Sequence, residues 1–467
     1  TGVCITFMVK TEKKGKTPAQ IFYTRRDEYE LATEKLDFLR STKFSEIKFE
    51  NVRPDVKNNW LNITDNDWDN LIPLISKETK NGVGQKVVFS NFSRGAETTR
   101  DEWVYDYRAD LLEQKIQFFI DVYNQDVEKL KGLDENEIGG RLSKEIKWSS
   151  SLTPFLLRGQ KLEFNGHKIY DGMYRPFIKT FLYFDDGLIH RRGQHPEFFP
   201  EPESKNLAIC VTDAGSAKPF MALVTDKLPD LHLVGAGAST QCLPFYRYSE
   251  SGNRTENLTD WALGQFEKHY GKGGSRSAPT ITKEDIFHYV YAVLHHPAYR
   301  LKYEINLKRE FPRIPFYDDT STSHSASFWK WADWGKRLME LHLNYETIEP
   351  YPLERGEREG KVATPDGMKM QPTCRLIAHK EQGIIEVDTA TTLRGVPAEA
   401  WEYRLGTYSA LEWILERYKE KKPKDPTIAE KFNTYKFADY KEQVIKLLMR
   451  VCSVSVETMK IIKEMPE

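Results

Sequence analysis

The chain has 467 residues, too many for one hydrophobic core, so two or three domains are expected. Its hydrophobic, aromatic and charged fractions of 39%, 12% and 29% describe a globular chain, and no run approaches the ~18–20 apolar residues of a membrane helix. A net charge of −1 excludes indiscriminate coating of nucleic acid and leaves room for a local basic face.

Residues 3–10 (VCITFMVK) and 20–24 (QIFYT) read as an antiparallel strand pair from a larger sheet, with Pro18 in the loop between them. The apolar-then-basic start without Met is the reverse of a secretory signal and suggests the interior of a longer polypeptide. Residues 26–50 carry a helical pattern (Tyr29, Leu36, Phe38, Leu39), and 51–92 are irregular. A strong helix is expected over 108–131, where Leu112, Ile116, Phe119, Ile120 and Tyr123 share a face. Over 147–250, short apolar runs (LAICVT, FMALVT, LHLVGA) alternate with turn residues, which predicts a β-rich region with many loops.

Thr282 and Asp285 nearly match a capping box and open a helix over 282–296 that Pro297 ends; a second helix runs to about 310. Residues 327–343 form a Trp-rich helix, 350–372 a polar linker and 373–392 strands. Ser409 with Glu412 is a full capping box, and two short amphipathic helices close the chain, over 439–452 and 455–464.

Chemistry is mostly missing. Five cysteines at 4, 210, 242, 374 and 452 make no C-x-x-C, so a zinc ribbon is excluded and a reducing cytoplasm fits. There is no phosphate-cradling G-x-x-x-x-G-K-[ST], G-x-S-x-G or H-E-x-x-H. Gly271, Gly273 and Gly274 with Lys272 and Arg276 have the wrong spacing, and Gly235 to Ser239 lacks the third glycine of a cofactor loop. His295 and His296 are adjacent on a helix, point apart and read as structural. No N-P-P-Y or D-P-P-Y occurs, so neither a catalytic residue nor a metal ligand is assigned. Positive charge is concentrated in two places. Residues 141–200 hold ten Lys/Arg against six Asp/Glu, and 294–313 five against two.

Four phrases, in order, resemble one family: Ser93-Arg-Gly-Ala-Glu-Thr-Thr-Arg-Asp-Glu-Trp-Val-Tyr105; Tyr174-Arg-Pro-Phe177 with Lys179 and Tyr183-Phe184; Ile286 to Arg300; and Ser409 to Trp413. Together they look like the C-terminal specificity region of type ISP restriction–modification enzymes. The resemblance implies a mixed α/β (α+β) fold: a β-rich, loop-bearing DNA-recognition domain with flanking helical segments and a terminal hairpin from a methyltransferase sheet. It divides the chain into the end of a methyltransferase domain (1–50), a helical connector (51–146), a target-recognition domain with helices (147–350) and a C-terminal subdomain (351–467). The implied partners are double-stranded DNA and the methyltransferase, ATPase and nuclease modules of the same polypeptide. S-adenosylmethionine, ATP and Mg2+ are expected only for that parent, a site-specific adenine-N6 methyltransferase and nuclease, and none in this chain.

On that reading, phosphate contacts position and base contacts specify. Arg94 and Arg100 flank a turn in which Thr98 and Thr99 offer hydroxyls and Gly95 lets backbone approach a phosphate; the alternative is a buried Arg100–Asp101 network. Arg191 and Arg192 are expected on phosphates, and Arg175 either there or in the fold. Lys218, Ser239, Thr240, Gln241, Tyr246 and Arg247 lie in inter-strand loops and could read base edges, Gln matching adenine and Arg guanine. Arg300, Lys302, Lys308 and Arg309 read as the solvated face of a helix. Two other functions compete: part of a complete S-adenosylmethionine-dependent methyltransferase, and a protein–protein coupling module built on the Trp-rich helix.

Overall fold

The computed structural model describes residues 5–10, 19–26, 32–54, 60, 66–78, 86–216, 218–235, 237–271, 279–318, 323–357 and 372–466. Two compact units divide at Asp67/Trp68.

In the smaller unit, Ile21–Tyr23 pairs antiparallel with Glu50–Val52, and a helix spans Ala32–Ser41. The expected partner run differs: residues 5–10 form no strand, and Ile5, Phe7, Met8 and Val9 are exposed. Ile21–Tyr23 takes Glu50–Val52 as its ladder partner instead. Val3, Cys4, Pro18 and Tyr29 lie outside the described residues. None of this unit's described side chains is buried.

The larger unit is built on three four-stranded sheets. The first has the order Leu228–Pro229, Ile169–Arg175, Ile178–Tyr183, Tyr105–Asp106, antiparallel except for the first pair. The second is fully antiparallel: Ser93–Arg94, Thr240–Pro244, Ala208–Thr212, Ala222–Thr225. The third, also antiparallel, runs Glu354–Glu357, Thr391–Arg394, Ile384–Asp388, Cys374–His379. The segment 51–146 thus supplies edge strands to two sheets besides its long helix, Ala109–Lys129.

The second sheet is covered on both faces, which explains its unbroken apolar runs. Ile209, Val211 and Val224 face one core, with the helices Lys283–His295 and His324–Leu343. Ala208, Cys210 and Leu223 face another, with the third sheet and the C-terminal helix. Alternate residues of a strand point to opposite faces, so burial of both removes the polar alternation. The long helix caps the first sheet, with Leu112, Ile116, Phe119 and Tyr123 inward.

Both capping boxes form. Thr282 Oγ1 accepts from Asp285 N at 3.2 Å, and Ser409 N donates to Glu412 Oε2 at 2.9 Å. Three expectations change. The region 297–310 is two short helices, Pro297–Lys302 and Glu304–Arg309. The polar linker contains the strand Glu354–Glu357, and 358–371 lie outside the described residues. The C-terminus is one helix, Phe437–Glu464. The serines near 453 do not break it, since Ser455 Oγ donates to the Val451 carbonyl one turn back, satisfying the hydroxyl within the helix. The Trp-rich helix packs into the core, with Trp331 and Trp334 buried and Trp329 half-buried. No described helix is long and apolar enough to cross a membrane.

Helix His324–Leu343 meets Lys283–His295 most closely at Gly335, where an added Cβ would lie 1.8 Å from the His288 carbonyl oxygen. Gly264, on the neighbouring helix Asp260–Tyr270, has open space around that position. Gly335→Ala is expected to lower unfolding free energy by at least ~1–3 kcal/mol through overpacking, and Gly264→Ala to raise it by ~0.5–1 kcal/mol through helix propensity. Denaturant titration of both variants checks the contrast.

Candidate nucleic-acid interface

The segment 93–105 begins as the edge strand of the second sheet and ends as the edge strand of the first, so everything between is stretched over both. Gly95 N donates to Thr240 O at 3.1 Å, Ala96 N to Pro229 O at 2.9 Å, and Leu231 N to Ala96 O at 2.9 Å. A Cβ on Gly95 would sit 2.3 Å from the Asp230 carbonyl oxygen. Glycine is therefore required for close approach of the protein's own backbone, not of a phosphate.

Beneath this crossing lies a buried ion pair. Arg175 Nη1 donates to Asp230 Oδ1 at 2.6 Å, and the guanidinium sits 4.0 Å over the Tyr174 ring. Asp230 also accepts from Tyr105 Oη at 3.0 Å and from His232 N at 2.8 Å. Burial opposes the charge on Arg175, and Asp230 together with Tyr174, Asp101 and Tyr105 more than offsets it, leaving the guanidinium above its ordinary pKa. Tyr174 Oη donates to Asp101 Oδ2 at 3.0 Å, and Asp101 also accepts from Thr98.

Arg100 is buried, bonded to Ser149 and 5.2 Å over the Phe119 ring; burial pulls its pKa down to about 10. Trp103 Nε1 donates to Asp425 Oδ2 at 2.8 Å. Thr98, Arg100 and Arg175, expected at DNA, are thus buried framework residues. Their side chains are enclosed and bonded inside the fold, Arg100 to Ser149 rather than Asp101, although Arg100 Nε and Nη1 and Arg175 Nε are buried without a hydrogen-bond partner.

A second group remains at the surface. Arg94 is half exposed; its Nη2 donates to Ser239 Oγ at 2.6 Å and lies 3.3 Å from Asp213 Oδ2. Gln241, opposite Arg94 in the ladder, donates its amide to Asp213 Oδ1 at 2.9 Å and is buried. Asp213 N in turn donates to Ser239 O at 2.9 Å. The structure therefore unites Arg94, Ser239 and Gln241 around Asp213, a residue that no sequence motif marks. Its one signal is its position in a turn directly after the run LAICVT. Gln241 presents no free edge to a base; it holds Asp213, which holds Arg94. Thr240 is fully buried in the strand, its Oγ1 taken by Val234 N at 3.4 Å.

The loop 185–195 lies alongside. Glu97 and Arg191 form an antiparallel bridge, and Ser93 Oγ accepts from Gln194 N at 3.0 Å. His195, fully buried, has its pKa pushed down to about 4 by burial, so its neutral ring donates Nε2–H to Arg94 O at 2.9 Å. Arg191 is 67% exposed, with Glu97 Oε2 at 3.5 Å. Arg192 is more enclosed, 2.5 Å from Asp186 Oδ1 and 5.8 Å over Phe184. Thr99 is exposed with φ of 59°, beside the bridge. Extended chain from Arg94 to Glu97 spans at most about 10 Å, so the exposed side chains of Arg94, Thr99 and bridge-paired Arg191 rise from one short stretch of backbone, a ridge whose individual side chains are held by different partners.

Lys218 is half-buried in the loop after Asp213, and Gly215 N donates to Lys308 O at 2.7 Å, which brings the basic segment 294–313 beside this loop. Within that segment Arg300 is half-buried, its guanidinium desolvated so that its pKa is lowered and bonded to Leu294 O at 2.6 Å, so it is not part of a solvated face. Tyr246 and Arg247 lie apart, beyond the far end of strand Thr240–Pro244, in a hairpin with Arg254–Glu256 where Arg254 stacks 3.9 Å over Tyr246. His295 and His296 bond to Tyr291 O at 2.8 Å and Pro466 O at 2.6 Å, as structural residues do. Of the Gly-rich phrase, 272–278 lie outside the described residues.

The sequence profile of the Type ISP C-terminal specificity domain matches residues 87–447. The chain belongs to this family. A search of the curated proteins returns no match. Among solved structures, the Type ISP specificity fold recurs in the cryoEM structure of a DrdV–DNA complex, with a TM-score of 0.84 and 43% identity over 96% of this chain and 43% of that one. It recurs in a nuclease-deletion mutant of the Type ISP restriction–modification enzyme LlaGI in complex with a DNA substrate mimic, with a TM-score of 0.77 and 28% identity over 96% and 39%. The ATP-dependent Type ISP restriction–modification enzyme LlaBIII bound to DNA gives 0.72 and 27% over 91% and 26%. The chain therefore spans less than half the length of each of these structures.

Breaking a buried pair by removing one partner strands the other charge and costs ~3–5 kcal/mol. Arg175→Met is expected to destabilise by that amount, whereas Arg191→Ala on the ridge should stay within ~0.5 kcal/mol of the parent chain. Thermal and denaturant unfolding of the two variants separates framework from surface arginine.

Proposed function

We propose that this chain reads a specific sequence of double-stranded DNA, as the specificity part of a longer restriction–modification polypeptide. The observation that carries the reading is the exposed ridge of Arg94, Thr99 and Arg191 on a chain whose net charge is only −1. Type ISP relatives solved with DNA support it. Arg191, Arg192 and Lys218 take phosphates, where guanidinium forks and ammonium groups match the anion. The pairs of Arg191 with Glu97 and of Arg192 with Asp186 are surface pairs of small net worth, so exchange for a phosphate costs little.

Arg94 and Ser239 face the base edges, with Gln241 and Asp213 fixing the angle of approach; Tyr246 and Arg247 meet DNA at a separate point. Thr98, Thr240, Arg100 and Arg175 act through the framework. Methyl transfer, ATP use and cleavage, with S-adenosylmethionine, ATP and Mg2+, fall to other modules of the parent, and the cytoplasm is the place of action. Selection of a random duplex pool on this chain at moderate salt, followed by sequencing, tests the reading. One enriched asymmetric motif supports it, and absence of retention sinks it. Arg191→Ala/Arg192→Ala should weaken binding to every sequence alike and flatten the salt slope by about 0.9 for each phosphate no longer neutralised, leaving the motif unchanged. An unaltered slope means that neither arginine meets a phosphate.

A further inference from the structure

Away from the ridge, three metal-ligating side chains converge from separate parts of the chain. His269 sits in the last turn of helix Asp260–Tyr270, His324 opens helix His324–Leu343, and Asp318 lies between. His269 Nε2 is 2.9 Å from one Asp318 oxygen, and His324 Nδ1 is 2.8 Å from the other. One ligand atom from each residue lies within 4.8 Å of the other two.

We propose that this trio is a Zn2+ site. Two imidazoles and a carboxylate are the donors of a borderline divalent ion, whereas Mg2+ and Ca2+ prefer oxygen alone. Tetrahedral zinc with bonds of about 2.0–2.2 Å places its ligand atoms about 3.3–3.6 Å apart. The trio is within about 1 Å of that spacing, so small side-chain rotations close it.

The ligands are held in advance. The His269 ring stacks on Phe316 at 4.3 Å and 10°, with the edge of Tyr270 at 4.7 Å. Both helices anchor in the same core through Phe266, Tyr270 and Phe328. The side chains of His269 and Asp318 are each 31% exposed and that of His324 67%, so an ion reaches the site from solvent and keeps water in the remaining positions. Bound there, zinc would pin the strap Phe316–Asp318 to the start of the Trp-rich helix.

The competing account is a hydrogen-bonded clamp that never takes metal. Gln at 269 and Asn at 324 keep an N–H donor near each ring nitrogen's place and remove the lone pair. The chain, stripped with chelator, is titrated with ZnCl2 by calorimetry and thermal unfolding, with MgCl2 in parallel. The expected result is one Zn2+ per chain at micromolar affinity or tighter and a rise in Tm of about 2 °C or more. Mg2+ should have no effect, and affinity should fall at least tenfold in His269→Gln and in His324→Asn. Cobalt provides a readout independent of stability: the parent chain should show the visible bands of a low-coordinate N/O site. Absence of zinc binding, equal affinity in the double variant, or an equal response to Mg2+ overturns the proposal.

Discussion

The Arg175–Asp230 pair is the constraint around which the larger unit is arranged. It sits where the backbone of 93–97 crosses the turn at 229–231, close enough that only glycine fits at 95. Two buried charges cost desolvation, and their mutual attraction offsets that cost only with good geometry and satisfied lone pairs. Here Tyr105 and the His232 amide complete the carboxylate, and the Tyr174 ring covers the guanidinium. Because Tyr105 and Arg175 belong to the first sheet and the Asp230 turn leads into Thr240 of the second, the pair sets how the two sheets meet. A hydrophobic substitute would hold them together without fixing the register of the crossing.

The ridge depends on this arrangement without sharing its chemistry. Arg94 and Arg191 are presented by backbone bridges that the crossing holds, and their guanidinium side chains are open to water, which screens the attraction to their half-buried carboxylate partners. Charge of the same kind is therefore used in opposite ways within a few residues. Arg100 and Arg175 are enclosed and committed, and Arg191 is open and exchangeable.

This division explains which features were legible. The phrases that carry the family resemblance are made of framework residues: Thr98 and Asp101, Trp103, Tyr105, Tyr174 and Arg175 bond to one another or to distant chain. Such residues recur in a recognisable spacing because each must meet a fixed partner. The residues proposed to meet DNA obey no such rule. Ser239 and Lys218 sit in loops, and Asp213, which orients Arg94, resembles any other turn aspartate. Likewise His269 and Asp318 are 49 positions apart, and His324 six further on, a spacing that matches no metal motif.

The amino-acid order by itself determined the local elements: the capped helices at Thr282 and Ser409, the apolar stripe of the long helix, and the β-rich character of 147–250. It also determined the family, through contacts that constrain residue type. Tertiary structure alone decided which arginines reach solvent. A guanidinium carries the same charge and spacing in sequence whether it pairs with a buried Asp230 or a half-buried Glu97, and only the folding of distant segments supplies one partner or the other. It likewise joined residues 437–464 into one helix and gave Ile21–Tyr23 its strand partner, because packing and ladder bonds override weak local signals.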